Sequence, residues 1–496
     1  MRNLFGNTLL TVISVAVCLV LAEVTVRIID GESPVTLQLP KILSSQGVDT
    51  TGGHLDKLSR AASVDRDLFF SDPPPLANRR KPPPDWLELE KTVQVAPPVA
   101  ADGSYPFRLW DLFKAWNSVF VGDPCTHDYM KRAPGTLFVF DPPDGQPRPT
   151  YRYLPNATGS DGLVTNAVGW RGPAVSVKRS PKTIRIVFVG ASTVAEIRLV
   201  PFSGPEYLHN WLNRWAKARK LDVTFEVLNA GREGISSIDI AAIVKAEVAP
   251  IWPDLVVYYE GGNELQLATV VKEVPKGTPR PAGAIARWLR DAAAYSSLAR
   301  RAEGLIGGGE WPKPDYEIVW PKGLDEFDPD ITRPDLPVNL SRIIHNLDSI
   351  RTDLAKVGSE FSVVSFHWLA KDGLVVDAAR QKAILETLNV SYFPFRYRDL
   401  ERLTAFENRV FAKYDAVHGL PFIDVAGHMP YDPNLFSDAI HNTVAGIKLR
   451  AWIELQQLVP IIEKHLADGS WPRPVPKMGD PPAYQPRQIH FTCKSS

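Results

Sequence analysis

Cysteine and any excess of one charge are what this chain has little of. Its 496 residues carry 56 basic and 56 acidic side chains, so the formal net charge is zero. That balance gives no electrostatic reason to bind nucleic acid, and no basic stripe interleaved with aromatics is present. The three cysteines, Cys18, Cys125 and Cys493, lack metal-ligand spacing, and neither a metal nor a cofactor is expected. Proline, by contrast, is abundant at 44 residues against 33 glycines. That argues for long irregular connections around a core rather than disorder throughout, because 13 Trp and 21 Phe must pack somewhere. The length is more than one ordinary domain needs.

The most informative stretch is Thr183-Ile-Arg-Ile-Val-Phe-Val-Gly-Ala-Ser-Thr193. Ile184 to Val189 is a short apolar, β-rich run that reads as a buried parallel strand. It stops at small residues, and Leu208, Trp211, Leu212 and Trp215 follow at helical spacing. Ser192 therefore sits just past the carboxyl end of a strand, where open α/β sheets place their ligands. On its own it would be read as a helix cap or loop residue. Three later stretches change that weighting. Asn229-Ala-Gly-Arg-Glu-Gly234 follows the strand-like Thr224 to Leu228, Glu260-Gly-Gly-Asn-Glu264 follows Leu255 to Tyr259, and Asp438-Ala-Ile-His441 lies near the C-terminus, ahead of Asn442-Thr443 and Gly446.

In that order the motifs resemble the SGNH (GDSL-like) hydrolase family. Ser192 matches its block I serine, with Gly-Ala-Ser where the family name records Gly-Asp-Ser. Gly231 matches the block II glycine, Asn263 the block III asparagine, and Asp438 with His441 the Asp-x-x-His of block V. The match runs from about Thr183 to Leu466, with gaps. It implies an acyl transfer in which Ser192 attacks an ester carbonyl, His441 takes and returns the proton, and Asp438 orients the imidazole. The Ser192 backbone N–H, the Gly231 N–H and the Asn263 side-chain amide would then form the oxyanion hole. The α/β-hydrolases compete as a serine-esterase fold, but their Gly-x-Ser-x-Gly elbow is missing from Gly190-Ala-Ser-Thr-Val194. Each residue also has a plainer reading: Asn263 as a helix cap, Gly231 as a turn, His441 as a surface histidine. His367 is the rival base and Asp424 the rival acid, the latter better read as a cap before Gly427. His209 and His428 have no evident partner.

Strands are expected near Ile184–Val189, Thr224–Leu228, Leu255–Tyr259, Phe361–Phe366 and Pro421–Val425. They alternate with helices near Ser237–Val248, Leu340–Val357 and Ala445–Leu466, the last kinked or broken by Pro460. The fold class expected is α/β: a three-layer α/β/α, flavodoxin-like arrangement around a central parallel sheet. The hydrolase domain would span 161–468, with an insertion at about 265–339 that holds a helical piece (Ala284–Ile306) and is placed to form a lid or substrate wall. A Pro-rich tail, 469–496, would lie on the surface. Residues 31–160 read as a stalk and wrapping accessory layer. Within them Phe107, Trp110, Phe113, Trp116 and Phe120 are spaced for an amphipathic helix. Arg171, in the lead-in Asn166-Ala-Val-Gly-Trp-Arg171, is expected to pair with a core carboxylate.

Residues 1–30 read as an anchor. Leu9 to Ala22 is almost wholly apolar and, extended back to Leu4, reaches about 19 residues, enough to span a bilayer as a helix. A cleaved signal peptide would want small residues where Glu23-Val-Thr-Val-Arg27 stands, and a lipoprotein would want one before Cys18. An uncleaved transmembrane helix fits best, with Glu23 and Arg27 able to pair four residues apart. Arg2 before the span puts the N-terminus in the cytoplasm and the bulk outside, in the periplasm or beyond. Cys125 and Cys493 are candidates for a disulfide there. The expected activity is ester hydrolysis on a small-molecule or glycan ester, an O-acetylated envelope glycan among them. An O-acyltransferase using the same residues, or a glycan-binding component on the same fold, are the alternatives.

Overall fold

The computed structural model describes residues 2–29, 50–76, 118–126, 135–141, 148–158, 163–175, 179–196, 201–264, 318–371, 397–474, 486–490 and 492–493, with residues 88, 91, 270, 296, 298, 299, 374, 376, 384 and 388. In chain order the principal elements are α1 (Arg2–Ile29), α2 (Thr50–Leu55), β1 (Ser118–Val121), β2 (Thr136–Phe140), β3 (Tyr151–Tyr153), β4 (Thr183–Gly190) and α3 (Ser192–Ala195). They continue with α4 (Gly204–Ala218), β5 (Thr224–Asn229), α5 (Ser237–Ile243), β6 (Leu255–Tyr259), α6 (Leu340–Lys356), β7 (Glu360–Val363), α7 (Tyr397–His418), α8 (Val444–Ala467) and β8 (Arg487–His490).

The protein is an α/β fold built on a parallel sheet of order β5-β4-β6-β7. A parallel bridge from Val364 to Ile423 extends it by one position. All eight residues of β4 are buried, as a strand covered on both faces requires. Its one charged side chain, Arg185, is paired with Glu226, its register partner on β5. α4 packs on β5 and α8, while α6 packs on α5 and β7. Capping boxes start two of these helices, Ser203 with Glu206 for α4 and Ser236 with Asp239 for α5. α5 does not end cleanly but widens into a π-turn over Val244–Val248. α8 runs on through Pro460 as one helix, so the break considered there does not occur. That proline is exposed, so water can satisfy the carbonyl its missing N–H leaves open.

A second sheet, of order β3-β1-β2-β8, joins the region before the catalytic motifs to the end of the chain. The expected helix over the Phe107–Phe120 aromatics is corrected at its end. Ser118–Val121 is a strand, parallel to β2 and antiparallel to β3, and residues 105–117 lie outside the described residues. The Pro-rich tail likewise contributes a strand, because Arg487–His490 pairs with β2. The sheet is closed covalently by a Cys125–Cys493 disulfide. The insertion's helical piece, 284–306, lies outside the described residues apart from 296, 298 and 299.

Residues 50–76 wrap the outer surface of α4 and α8. Phe69 is 2% exposed and sits against Trp211 and Trp452, with ring centroids at 6.1 and 5.5 Å. The Ser71 carbonyl accepts a bond from Trp211 Nε1 at 2.8 Å, and Ala61 N–H donates to Gln456 Oε1 at 2.9 Å. Such an aromatic anchor makes the strap part of the core. Phe69→Ala is therefore expected to destabilise the fold by about 3–5 kcal/mol, read from the denaturant midpoint. A change below about 1 kcal/mol, the size of an ordinary surface substitution, would show the strap merely laid on the surface.

The N-terminal apolar stretch is helical, and Glu23 and Arg27 pair at 2.6 Å on one face of it. Among the described residues, no helix is long and apolar enough to cross a membrane, so the expected span gains no support there.

Candidate active site

Four chain segments meet above the carboxyl ends of β4, β5 and β6. The first is the abrupt turn from β4 into α3. Gly190 ends the strand because nothing larger fits: a Cβ there would lie 2.3 Å from the Tyr259 carbonyl oxygen and 2.5 Å from Val194 Cγ2. Ser192 is then the first residue of a four-residue helix. Its backbone N–H makes no hydrogen bond among the described residues, as befits a first-turn donor.

The second segment is the loop Phe436–Thr443, which leads into α8. Phe436 and Asn442 bridge across it, and Ser437 N–H donates to the His441 carbonyl at 2.8 Å. Leu369 N–H fixes it to the chain beyond β7 by donating to the Ala439 carbonyl at 2.8 Å. Gly446 is required below it, since a Cβ would lie 2.0 Å from the Leu435 carbonyl oxygen.

This loop carries Asp438 and His441 to Ser192. Ser192 Oγ lies 2.7 Å from His441 Nε2, and His441 Nδ1 lies 2.7 Å from Asp438 Oδ2. The other oxygen of Asp438 accepts the N–H groups of Ile440 and His441, at 2.9 and 2.8 Å. Burial would raise the Asp438 pKa, but the hydrogen bond and charge of His441 and those two N–H groups outweigh it and bring it down to about 2. A carboxylate that stays ionised holds Nδ1–H, which leaves Nε2 as the acceptor facing the serine hydroxyl.

The other two segments, the loops after β6 and β5, supply amide donors. Asn263 is exposed at the end of the Gly261-Gly262 turn, and its Nδ2 donates to the Ile235 carbonyl at 2.8 Å. One hydrogen of that amide fixes the side chain, and the other is left for a ligand. Gly231 is placed differently from expectation. Its N–H donates to Asn229 Oδ1 at 3.0 Å, so it is already committed. It must be glycine for packing, because a Cβ would lie 2.6 Å from Ala195 N and 2.8 Å from Val194 Cβ. The glycine free to donate is Gly234, the last of the same motif. It is exposed, has φ +65° and makes no backbone N–H bond among the described residues. It directly precedes Ile235, whose carbonyl anchors Asn263. The sequence signal for Gly234 is the second glycine of Asn229-Ala-Gly-Arg-Glu-Gly234, at a turn that needs a left-handed residue.

The other histidines stand apart. His367 is buried, with Nδ1 3.4 Å from the Ala426 carbonyl oxygen and its ring beside Tyr431 and Phe436. Burial brings its pKa down to about 4, against the small upward pull of that carbonyl and of Asp424. His209 Nδ1 accepts the Val227 N–H at 3.3 Å, and His428 Nδ1 lies 2.7 Å from the Asp424 carbonyl oxygen. Asp424 caps the turn before Gly427, whose N–H it accepts at 2.9 Å.

Behind the serine lies a buried network of ions. Arg171 pairs with Glu206 at 2.9 Å and reaches the Glu196 carbonyl. Arg450, from α8, donates to the Thr193 carbonyl at 2.9 Å and pairs with Glu196 at 2.8 Å. Both arginines grip the C-terminal end of α3, where cations complement exposed carbonyls. Arg171 thus has the structural partner expected of it; Arg450 and Glu196 were not foreseen.

No protein-family model and no curated protein matches the chain. Among solved structures, an acetylxylan esterase from Geobacillus stearothermophilus is similar at 13% identity over 56% of this chain and 96% of that one, with a TM-score of 0.31. A lipase/acylhydrolase from Enterococcus faecalis is similar at 16% identity over 56% and 96%, with a TM-score of 0.30. A GDSL-like lipase from Bacteroides thetaiotaomicron is similar at 13% identity over 56% and 88%, with a TM-score of 0.26.

Proposed function

We propose that this chain is a serine ester hydrolase of the SGNH type that works through an acyl-serine intermediate. The observation that carries the reading is the continuous hydrogen-bonded line from Ser192 Oγ through His441 to Asp438, 2.7 Å at each step. A serine hydroxyl is a weak nucleophile until a base takes its proton, and here the base is already in contact and oriented by an ionised acid. Ser192 attacks the ester carbonyl while His441 Nε2 takes its proton. The oxyanion that forms is met by the Ser192 N–H, the Gly234 N–H and the free hydrogen of Asn263 Nδ2. His441 then protonates the leaving alcohol. In the second half a water molecule, activated by the same imidazole, releases the acid from Ser192.

The substrate class we propose is an O-acylated glycan of the cell envelope, reached by a domain held outside the cytoplasm on the N-terminal helix. Two observations support that location. The Cys125–Cys493 bond suits an oxidising compartment, and Val15, Leu19, Val20 and Leu21 of α1 present their apolar side chains outward.

The test uses the full chain, purified in detergent, with p-nitrophenyl acetate and with a fluorophosphonate, followed by peptide mass spectrometry. Ester turnover together with a single phosphonyl adduct on Ser192 is the expected result. A folded protein that neither turns over the ester nor takes up the phosphonate would sink the hydrolase reading.

A further inference from the structure

A buried carboxyl group lies directly beneath the site and takes no part in the chemistry above. Glu260 is the residue after β6 and is 2% exposed. Its Oε1 accepts the Asn263 N–H at 2.7 Å, and the backbone N–H groups of Gly262 and Ala191 also face its carboxyl and favour its charged form. Ala191 is the residue before the nucleophile, and Gly262-Asn263 is the turn that carries the oxyanion amide. Two separate pieces of the site, one from β4 and one from β6, therefore end on the same side chain. The turn has no slack on its other side. A Cβ on Gly261 would lie 2.9 Å from Glu407 Oε2 and from Phe366 Cβ, and one on Gly262 would lie 3.2 Å from Ile440 Cδ1.

We propose that Glu260 is a positioning residue, which sets the spacing between the Ser192 turn and the Asn263 amide by holding both backbones on one carboxyl. Three N–H groups need acceptors at the top of the sheet, where the ladder between β4 and β6 has ended. An ionised carboxyl has the lone pairs for all of them, whereas an amide side chain has only one oxygen. Placing an acid there has a cost. Burial, with the nearby Glu264 charge adding to it, pushes the Glu260 pKa up from 4.5 to about 8. With the folded value above the unfolded one, this group withholds stability as pH rises above about 4.5, and the loss is complete above about 8. A group kept for stability alone would not be this one, and it touches the two loops whose spacing decides whether serine and amide can meet one carbonyl.

The kinetic test rests on the ester-hydrolase reading; a second measurement does not. At pH 8.5, where the carboxyl is mostly ionised, Glu260→Gln is expected to lower kcat by about tenfold or more with KM nearly unchanged. Its thermal midpoint at pH 8.5 should not fall, because the ionisation cost is gone. Asn263→Ala alone is expected to lower kcat by about 100- to 1,000-fold. In that background Glu260→Gln should cost less than about threefold, because much of its effect runs through the missing amide. An unchanged kcat in Glu260→Gln, a loss that multiplies in full with that of Asn263→Ala, or a loss matched by a fallen midpoint would overturn the proposal. Amide hydrogen exchange followed by mass spectrometry judges the same point without activity. In Glu260→Ala and Glu260→Gln, peptides covering 186–195 and 259–264 should lose protection together. Loss confined to 259–264, or none, would show that Glu260 does not link the loops, even in a protein that hydrolyses nothing. A wild type inert to ester and phosphonate instead counts against the hydrolase reading alone.

Discussion

Ser192→Ala is expected to lower kcat/KM for an activated ester by about 10⁴- to 10⁶-fold while leaving the fold intact. The size follows from what the hydroxyl does. It is the atom that would become covalently bound to the acyl group, and His441 has no other proton to take within its 2.7 Å contact. What survives is the oxyanion hole and substrate binding, which together leave residual catalysis over water. The fold should not suffer, because Ser192 is the first residue of α3 and, among the described residues, its side chain bonds only to that imidazole. Unfolding free energy is expected to stay within about 1 kcal/mol of wild type. The neighbouring hydroxyl is a useful control. Thr193 is 3% exposed, and its Oγ1 has no hydrogen-bond partner among the described residues, so Thr193→Ala should leave the phosphonate reaction in place. A Ser192→Ala protein that keeps a tenth of its activity, or labels elsewhere, would mean that the nucleophile is another group.

The parts of this molecule that could be read from the sequence are those whose physics is local. Ile184–Val189, Thr224–Leu228 and Leu255–Tyr259 are short β-rich runs, and each became a strand of the parallel sheet, the first and third buried throughout. The motif residues Ser192, Asn263, Asp438 and His441 follow such runs or lie in one short loop, so chain order alone hinted at their meeting. The second sheet was illegible for the opposite reason. Its strands are three to five residues long, and β2 finds its partner in residues 487–490. No window of sequence contains a pairing of that separation, and Phe120, spaced as if on a helix, instead lies in a strand. The sequence reading places no helix over α7, yet Leu400, Leu403, Phe406, Val410, Phe411 and Tyr414 are all buried along it.

Within the site, the misassigned donor has a similar cause. Gly231 and Gly234 are both plausible from the motif, and only the Asn229 side chain, which occupies the Gly231 N–H, separates them. The buried supports, Glu260 and the Arg450–Glu196 pair, are charged residues that a sequence reading assigns to the surface by default. Their roles appear only once helix α8 and the ends of β4 and β6 are seen side by side. Tyr151 and Tyr153 of β3 add the same lesson. Tyr151 Oη donates to the Glu233 carbonyl at 2.6 Å, and Tyr153 Oη accepts the Glu233 N–H at 3.3 Å. The accessory sheet thus braces the loop that carries Gly234.

Asp438→Asn is expected to cost about 10⁴-fold in kcat at neutral pH, with the protein still folded. The geometry explains why a change of one atom is so expensive. The Oδ1 atom can go on accepting the N–H groups of Ile440 and His441, so the loop keeps its shape. The other position becomes an NH₂ group facing His441 Nδ1 at about the same 2.7 Å. A donor there requires Nδ1 to be the acceptor, which moves the ring proton to Nε2 and leaves Ser192 facing a donor instead of a base. The pH dependence of stability supplies an independent check. Burial opposes the Asp438 charge, but the His441 bond and charge and the two N–H groups win, and the folded pKa falls from 3.8 to about 2. A depressed folded value means the stabilisation is fully present above about pH 4 and is lost as pH falls towards 2. Asparagine does not titrate, so the stability gap between wild type and Asp438→Asn should narrow across that window, read from urea midpoints at successive pH values. A gap that stays constant from pH 5 to pH 2, or a variant with near-wild-type turnover, would show that the carboxylate is not what orients His441.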